Sequence, residues 1–268
     1  MDNDRIINKD GLTFATSPLL GDTSHAFLGR TGGVSRAPFT SLNTGMHVGD
    51  NPGDVAKNRR RIRECFGVED RNLIIVTQVH GTEVINIEKE LPPETAEADA
   101  IITARSDIAV AVQTADCVPI LFFDPDKNII CAAHAGWRGT LGNIAGKTVT
   151  AMKKNYGSDP AKIRAAIGPS IGPCCYEVST ELIGRFHDTL NHAGQASKER
   201  HLDLPGINKV QLEEAGLACS NIDQTSICTA CRSDLFFSHR YEADETRGIN
   251  TGRQLSFIMK PELLRKKR

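Results

Sequence analysis

Three residues of this sequence, His80, Cys117 and His134, are of the types that hold a borderline-soft divalent ion, and each stands at the end of a segment with strand character. Two imidazoles and one thiolate leave the fourth tetrahedral position open to water or substrate, which is the catalytic form of such a site. With 36 and 16 residues between them, the three donors are no short local motif, so spacing alone also allows three separately packed residues. The densest stretch is Ala133-His134-Ala135-Gly136-Trp137-Arg138-Gly139-Thr140, which holds one of these histidines, the single tryptophan, an arginine and two glycines.

The segments around these residues have to place them. Ile129 to Ala133 is an apolar run of strand length ending at His134, and Thr140 to Tyr156 carries apolar residues at helical spacing. Gly136 to Gly139 is therefore expected to be a strand-to-helix turn whose amides can receive an anion, with Arg138 facing the metal across it. Leu73 to Val79 predicts a strand leading to Gln78-Val79-His80-Gly81, with Thr82 to Ile87 as its hairpin partner. Ile108 to Gln113 and Val118 to Phe123 read as strands on either side of Thr114-Ala115-Asp116-Cys117, Ile163 to Ile167 and Gln254 to Met259 are further expected strands, and Cys228 to His239 reads as strand and loop. Asp54 to Phe66 predicts a helix capped by Asp54, and Glu177 to Leu190 and Gly206 to Ala218 are two more. The Gly/Ser/Thr/Asn-rich segment from His25 to Asp50, which contains Asn43, suits ordered loops lining a cleft, and Asn191 to Arg200 reads as a polar loop. No internal repeat or convincing linker interrupts the chain, so the expectation is one domain over 1–268, of α/β (α+β) class, with mixed β-sheets flanked by outer helices.

A chain of 268 residues, 40% hydrophobic and 24% charged with net charge −1, can bury a core and has no global basic field, so nucleic acid is not a favoured partner. The Arg265 to Arg268 run reads as a solvated tail. The charged start, Met1 to Arg5, leads into no long apolar segment, so neither membrane partner nor secretion signal is expected, and the eight cysteines read as thiols or metal ligands of a cytoplasmic protein. Cys228-Thr229-Ala230-Cys231 has redox or metal spacing. No second Cys-x-x-Cys accompanies it, and the adjacent Cys174-Cys175 is a poor source of tetrahedral ligands, so these four are expected to be ordinary thiols.

Read together, Gln78-Val79-His80-Gly81, Ala98-Asp99-Ala100, Thr114 to Pro119, His134 to Gly139, Gly172 to Val178, and Phe236-Phe237-Ser238-His239-Arg240 with Thr251-Gly252-Arg253 resemble the laccase-domain family, also labelled polyphenol oxidase and peptidoglycan editing factor. The resemblance runs from about His25 to Ile258. It implies a cysteine-hydrolase-like fold, similar to that of a bacterial toxin deamidase, and a zinc-dependent purine nucleoside phosphorylase with adenosine deaminase activity. It also implies one zinc per chain held by His80, Cys117 and His134. Copper is less favoured, because multicopper oxidation needs many histidines and the eight here include no His-x-His pair. The chain departs from the family at Ser170, where a cysteine is usual, and at His239, where a tyrosine is common.

On this reading phosphate attacks the anomeric carbon of adenosine, inosine or methylthioadenosine. Arg59 and Arg138 are expected to meet the phosphate, Asn43 and Gln78 to help bind substrate, and Asp116 to move a proton or cap a turn, with the chain a monomer or homodimer. The alternatives are a metal-free hydrolase or amidase with Cys117 as nucleophile and His134 as base, and a role in editing peptidoglycan precursors.

Overall fold

Alternation of buried side chains builds the molecule in layers. The computed structural model describes residues 5–69, 72–93, 95–189, 197–198, 200–242 and 250–260. Its strands are β1 (Ile6–Lys9), β2 (Leu12–Ala15), β3 (Ser24–Leu28), β4 (Leu73–Ile75), β5 (Val84–Ile87), β6 (Ala100–Thr103), β7 (Ala109–Thr114), β8 (Val118–Asp124), β9 (Ile129–Ala135) and β10 (Arg164–Ile167), then a small hairpin of β11 (Ser197–Lys198) and β12 (His201–Leu202), and finally β13 (Ile222–Gln224) and β14 (Gln254–Met259). Two mixed six-stranded sheets result, ordered β1-β2-β3-β14-β7-β4 and β13-β10-β8-β9-β6-β5.

Along β7, Val110 and Val112 meet Leu121 of β8 and Ile130 and Ala132 of β9 in a core between the sheets, with Phe27 and Ile258. Ala109 and Ala111 point the other way, joining Leu255, Phe257 and Ile62. Both faces of the central strands are thus covered, which is why they read as continuous apolar runs. Burying Phe122 or Phe257 completely contributes about 1.5–3 kcal/mol each.

Helix α1 (Pro52–Phe66) covers the outer face of the first sheet, packing Ile62 beside Leu12, Phe14 and Phe257. The outer face of the second sheet is covered by α3 (Ile144–Tyr156), α4 (Thr180–Thr189) and α5 (Leu204–Glu214), through Val149, Met152, Phe186, Ile207 and Leu212; the short α2 (Trp137–Leu141) precedes α3 and α6 (His239–Glu242) follows the Phe236-Phe237 pair. The expected class, mixed sheets flanked by outer helices, is the observed one.

Several local expectations are corrected. The segments on either side of His80 form no hairpin: β4 joins the first sheet beside β7, and β5 joins the second beside β6. The cap of α1 is Asn51, whose side chain accepts from Gly53 and Asp54 amides, because Pro52 already starts the helix. The helix expected from Thr140 breaks at Asn143, which sits in the left-handed region (φ 62°) and caps α3. Of the strand and loop expected over Cys228 to His239, the loop is present as turns running into α6, and the strand is reduced to a single bridge between Cys228 and Ser170. The readings of Met1 to Asp4, Arg265 to Arg268 and most of Asn191 to Arg200 lie outside the described residues.

Candidate metal centre

Register brings the site together. In the second sheet β9 lies between β8 and β6, pairing Pro119 with His134 on one side and Ala100 with Ala133 on the other. The start of β8, the end of β9 and the start of β6 therefore share one edge, which puts Cys117, His134 and Asp99 side by side. His134 lies on the same face of β9 as Ile130 and Ala132, so it points between the sheets and is 2% exposed. His80 arrives on the crossover from β4 in one sheet to β5 in the other, and the ligand atoms of His80, Cys117 and His134 all lie within 4.8 Å of one another.

Asp99, fully buried, holds this arrangement. Its Oδ1 takes the His134 Nδ1 proton at 2.7 Å and the His80 amide at 3.0 Å, its Oδ2 takes the Gly81 amide at 2.6 Å, and its carbonyl accepts the His134 amide at 2.7 Å. The Nδ1 bond fixes the tautomer that leaves Nε2 of His134 for a metal ion. The two amide bonds hold His80 in a left-handed conformation (φ 59°) that a non-glycine residue adopts only when its surroundings over-determine it. In the sequence Asp99 stands between alanines directly ahead of an apolar strand, as the second acid of Ala96-Glu97-Ala98-Asp99-Ala100. Position directly before an apolar strand is the one signal the sequence offers for it; its burial, which obliges the carboxylate to find donors, comes from the register of the strands.

The donor set fits a tetrahedral ion. Ligands about 2.0–2.3 Å from zinc stand about 3.3–3.8 Å apart, so separations within 4.8 Å need only a small contraction. Gly136 forms the wall: a Cβ there would lie 3.1 Å from Cys117 Sγ, 3.1 Å from His80 Cδ2 and 3.8 Å from His134 Cε1. Burial by itself would raise the Cys117 thiol, but the imidazoles of His134 and His80 outweigh it and hold the pKa at about 6. Burial likewise opposes charge on His134, and the Cys117 sulfur and the Asp99 carboxylate raise it to about 9. The net effect on Asp99 is downward, His134 overcoming its burial.

The donors open on a cleft of about 1100 Å³ whose walls include Arg59, Arg63, Gln78, Gln113, His47, His239 and Arg253. The structure thus brings Arg59 and Gln78 into one cleft with His80, Cys117 and His134. Arg59 Nε donates to the Thr44 carbonyl, and Gln78 exchanges two hydrogen bonds with the backbone of Gln113. The other expected site residues are placed differently. Asn43 is fully buried and spends its amide on Gly45, Asp50 and the Arg253 amide, so it braces the loop beneath the cleft. Asp116, at φ 84°, accepts from the Thr229 hydroxyl and the Arg240 amide, each at 2.6 Å, and so ties the chain before Cys117 to the segment running into α6. Arg138 is exposed, with its guanidinium 4.3 Å over the Trp137 ring, and is absent from the cleft lining, because α2 begins at Trp137 and carries it outward. Arg253, at the end of Thr251-Gly252-Arg253, lines the cleft instead. It is held by Nη1 bonds to the Thr251 and Gly252 carbonyls, and burial lowers its pKa against the pull of Cys117 and Asp116.

Fold and site together define a class: a two-sheet α/β protein with a His-Cys-His centre at the floor of an arginine-lined cleft. A family profile described as multi-copper polyphenol oxidoreductase laccase matches residues 24–261, and the chain belongs to that family. It is 38% identical over 245 residues to purine nucleoside phosphorylase YlmD of Geobacillus stearothermophilus, covering 86% of this chain and 88% of that protein. It is 35% identical over 232 residues to purine nucleoside phosphorylase YfiH of Escherichia coli, covering 85% and 90%. The crystal structure of YlmD from Geobacillus stearothermophilus superposes with a TM-score of 0.85 at 34% identity over 94% of this chain and 97% of that one. Among the described residues, no helix is long and apolar enough to cross a membrane.

Proposed function

We propose that this chain is a zinc-dependent purine nucleoside phosphorylase acting on adenosine, inosine or methylthioadenosine. A phosphate oxygen forms a bond to the anomeric carbon, the glycosidic C–N bond breaks, and the base leaves with a proton, giving the sugar 1-phosphate. The observation that carries this reading is the pairing, in one cleft, of the three metal donors with Arg253 and Arg59, since guanidinium groups match phosphate oxygens bidentately. The relatives named purine nucleoside phosphorylase support it.

Bound zinc would supply positive charge and Lewis acidity at the floor of the cleft. The chain's own residues do the rest. Arg253 and Arg59 bind and orient phosphate, Asp99 keeps His134 in its ligating tautomer, Asp116 positions Cys117 and the segment carrying His239, and Gln78 keeps the strand beneath the cleft in register. Adenosine deamination is the side activity: water forms a bond to purine C6, the exocyclic C6–N bond breaks and ammonia leaves, giving inosine. Only two histidines join the donor group, which favours zinc over a set of coppers.

The test is purified protein with each nucleoside, with and without phosphate. Cleavage that depends on phosphate and yields the sugar 1-phosphate is expected. Equal rates without phosphate, releasing free sugar, would replace this reading with a hydrolase.

One observation favours a second reading. Cys117 held at about 6, His134 at about 9 and Asp99 on His134 Nδ1 have the charge order of a nucleophile, its base and its orienting acid. Amidase or hydrolase activity surviving complete metal removal would establish that reading, because a ligated thiolate is a poor free nucleophile.

A further inference from the structure

Cys174, Cys175, Cys228 and Cys231 form a second group whose sulfur atoms all lie within 4.8 Å of one another. We infer that these four cysteines bind a structural zinc ion of their own, separate from the His80, Cys117 and His134 centre and independent of the catalytic reading. The sequence reading took these four for ordinary thiols because adjacent cysteines are poor tetrahedral ligands, and backbone shape removes that objection here. Adjacent cysteines aim at one point only where the chain turns sharply, and the amides of Cys175 and Tyr176 both donate to the Gly172 carbonyl, at 3.0 Å each. Both sulfurs then converge on Cys231, at 3.6 Å from Cys174 and 3.4 Å from Cys175.

Four thiolates about 2.3 Å from one zinc at tetrahedral angles stand about 3.8 Å apart, close to these separations. Cys231 is nearly equidistant from Cys174 and Cys175, so the geometry singles out no pair, whereas one ion uses all four. The Gly172 amide donates to Cys228 Sγ at 3.3 Å, the kind of N–H to sulfur bond that stabilises a ligating thiolate. A Cβ on Gly172 would lie 3.4 Å from Cys174 Sγ and 3.4 Å from Cys228 Cβ, so Gly172 sits where the two cysteine loops meet. Four protein ligands leave no open position, which makes the site structural.

Its position says what it would hold. The two cysteine loops are already bridged by Ser170 and Thr229, whose backbones bond at 3.0 Å, and both reach Asp116: the Ile171 amide donates to the Asp116 carbonyl at 2.9 Å, and the Thr229 hydroxyl to its carboxylate. Beyond them lie Tyr176, with Arg240 stacked 5.3 Å over its ring, and His239 in the cleft wall. The ion would staple these loops next to the residue that precedes Cys117.

The experiment is metal analysis of the full chain purified under reducing conditions without chelator, with mass spectrometry after alkylation. Two zinc ions per chain are expected in the unsubstituted protein, and one in each of Cys117→Ser, Cys228→Ser and Cys174→Ser. Cys219→Ser, which alters an exposed cysteine outside both groups, should keep two. Cys174 is exposed, so its substitution gives a folded variant even if Cys228→Ser does not fold. A metal-free Cys117→Ser protein, a disulfide among the four cysteines, or iron in place of zinc would overturn the inference. If the catalytic centre holds no metal, the unsubstituted protein and Cys117→Ser would each carry one zinc, so the two failures are distinguishable.

Discussion

Replacing Asp99 by asparagine keeps its size and removes its charge, and the structure shows why no orientation of the new amide can serve. Three donors point at the carboxylate: His134 Nδ1–H and the His80 amide at Oδ1, and the Gly81 amide at Oδ2. If the asparagine oxygen keeps the first two, its NH2 group faces the Gly81 amide, donor against donor. If the amide is reversed, its NH2 group faces His134, which must then move its proton to Nε2 and give up that nitrogen as a ligand. Loss of such a partner typically weakens metal binding about 10–100-fold, or about 1.4–2.8 kcal/mol. A buried donor left without an acceptor costs a further ~1–3 kcal/mol of stability. At about 2–4 °C per kcal/mol for a chain near this size, the melting temperature should fall by ~2–12 °C. Competition against a chromophoric chelator measures the affinity, and circular dichroism follows the melt. An Asp99→Asn protein with unchanged zinc affinity would refute the claim that Asp99 orients His134, whatever its stability.

Three further outcomes are expected. In metal-free protein, alkylation of Cys117 should rise with a midpoint at about pH 6, since its folded pKa is depressed and the thiolate persists above it; the stability that this depressed group contributes is lost as pH falls through about 6, and added zinc should suppress the reaction. A midpoint near the ordinary thiol value would remove the imidazoles as its cause. Gly136→Ala should fold, since φ −72° suits any residue, yet crowd Cys117 and His80 at 3.1 Å, costing about 1–3 kcal/mol that appears in zinc affinity; titration showing full affinity would mean the wall yields freely. Arg253→Lys should raise the apparent phosphate constant on the order of tenfold to a hundredfold with normal zinc content, while Arg138→Lys leaves it unchanged; steady-state kinetics at saturating nucleoside showing the reverse would return phosphate binding to Arg138.

The three candidate donors were legible in the sequence because their types announce themselves and because apolar runs such as Val118 to Phe123 and Ile129 to Ala133 place them at strand ends. The layered class was legible for the same reason: continuous apolar strands need cover on both faces. Pairing was not. Leu73 to Val79 and Thr82 to Ile87 read as a hairpin because nearness in sequence is the only partner information a sequence offers, whereas the chain between them crosses from one sheet to the other and carries His80 to the far side of the site. Arg138 and Arg253 are equally basic on paper, and only the outward start of α2 and the packing of the Thr251 to Arg253 segment under the cleft decide which one faces the cleft. Asp99 owes its place beside His134 to the register of β6 against β9, and the four cysteines owe their convergence to one tight turn at Gly172. Residue type fixes what chemistry a side chain can do, but which groups share a site depends on long-range pairing of backbone, and that is settled only when the whole sheet closes.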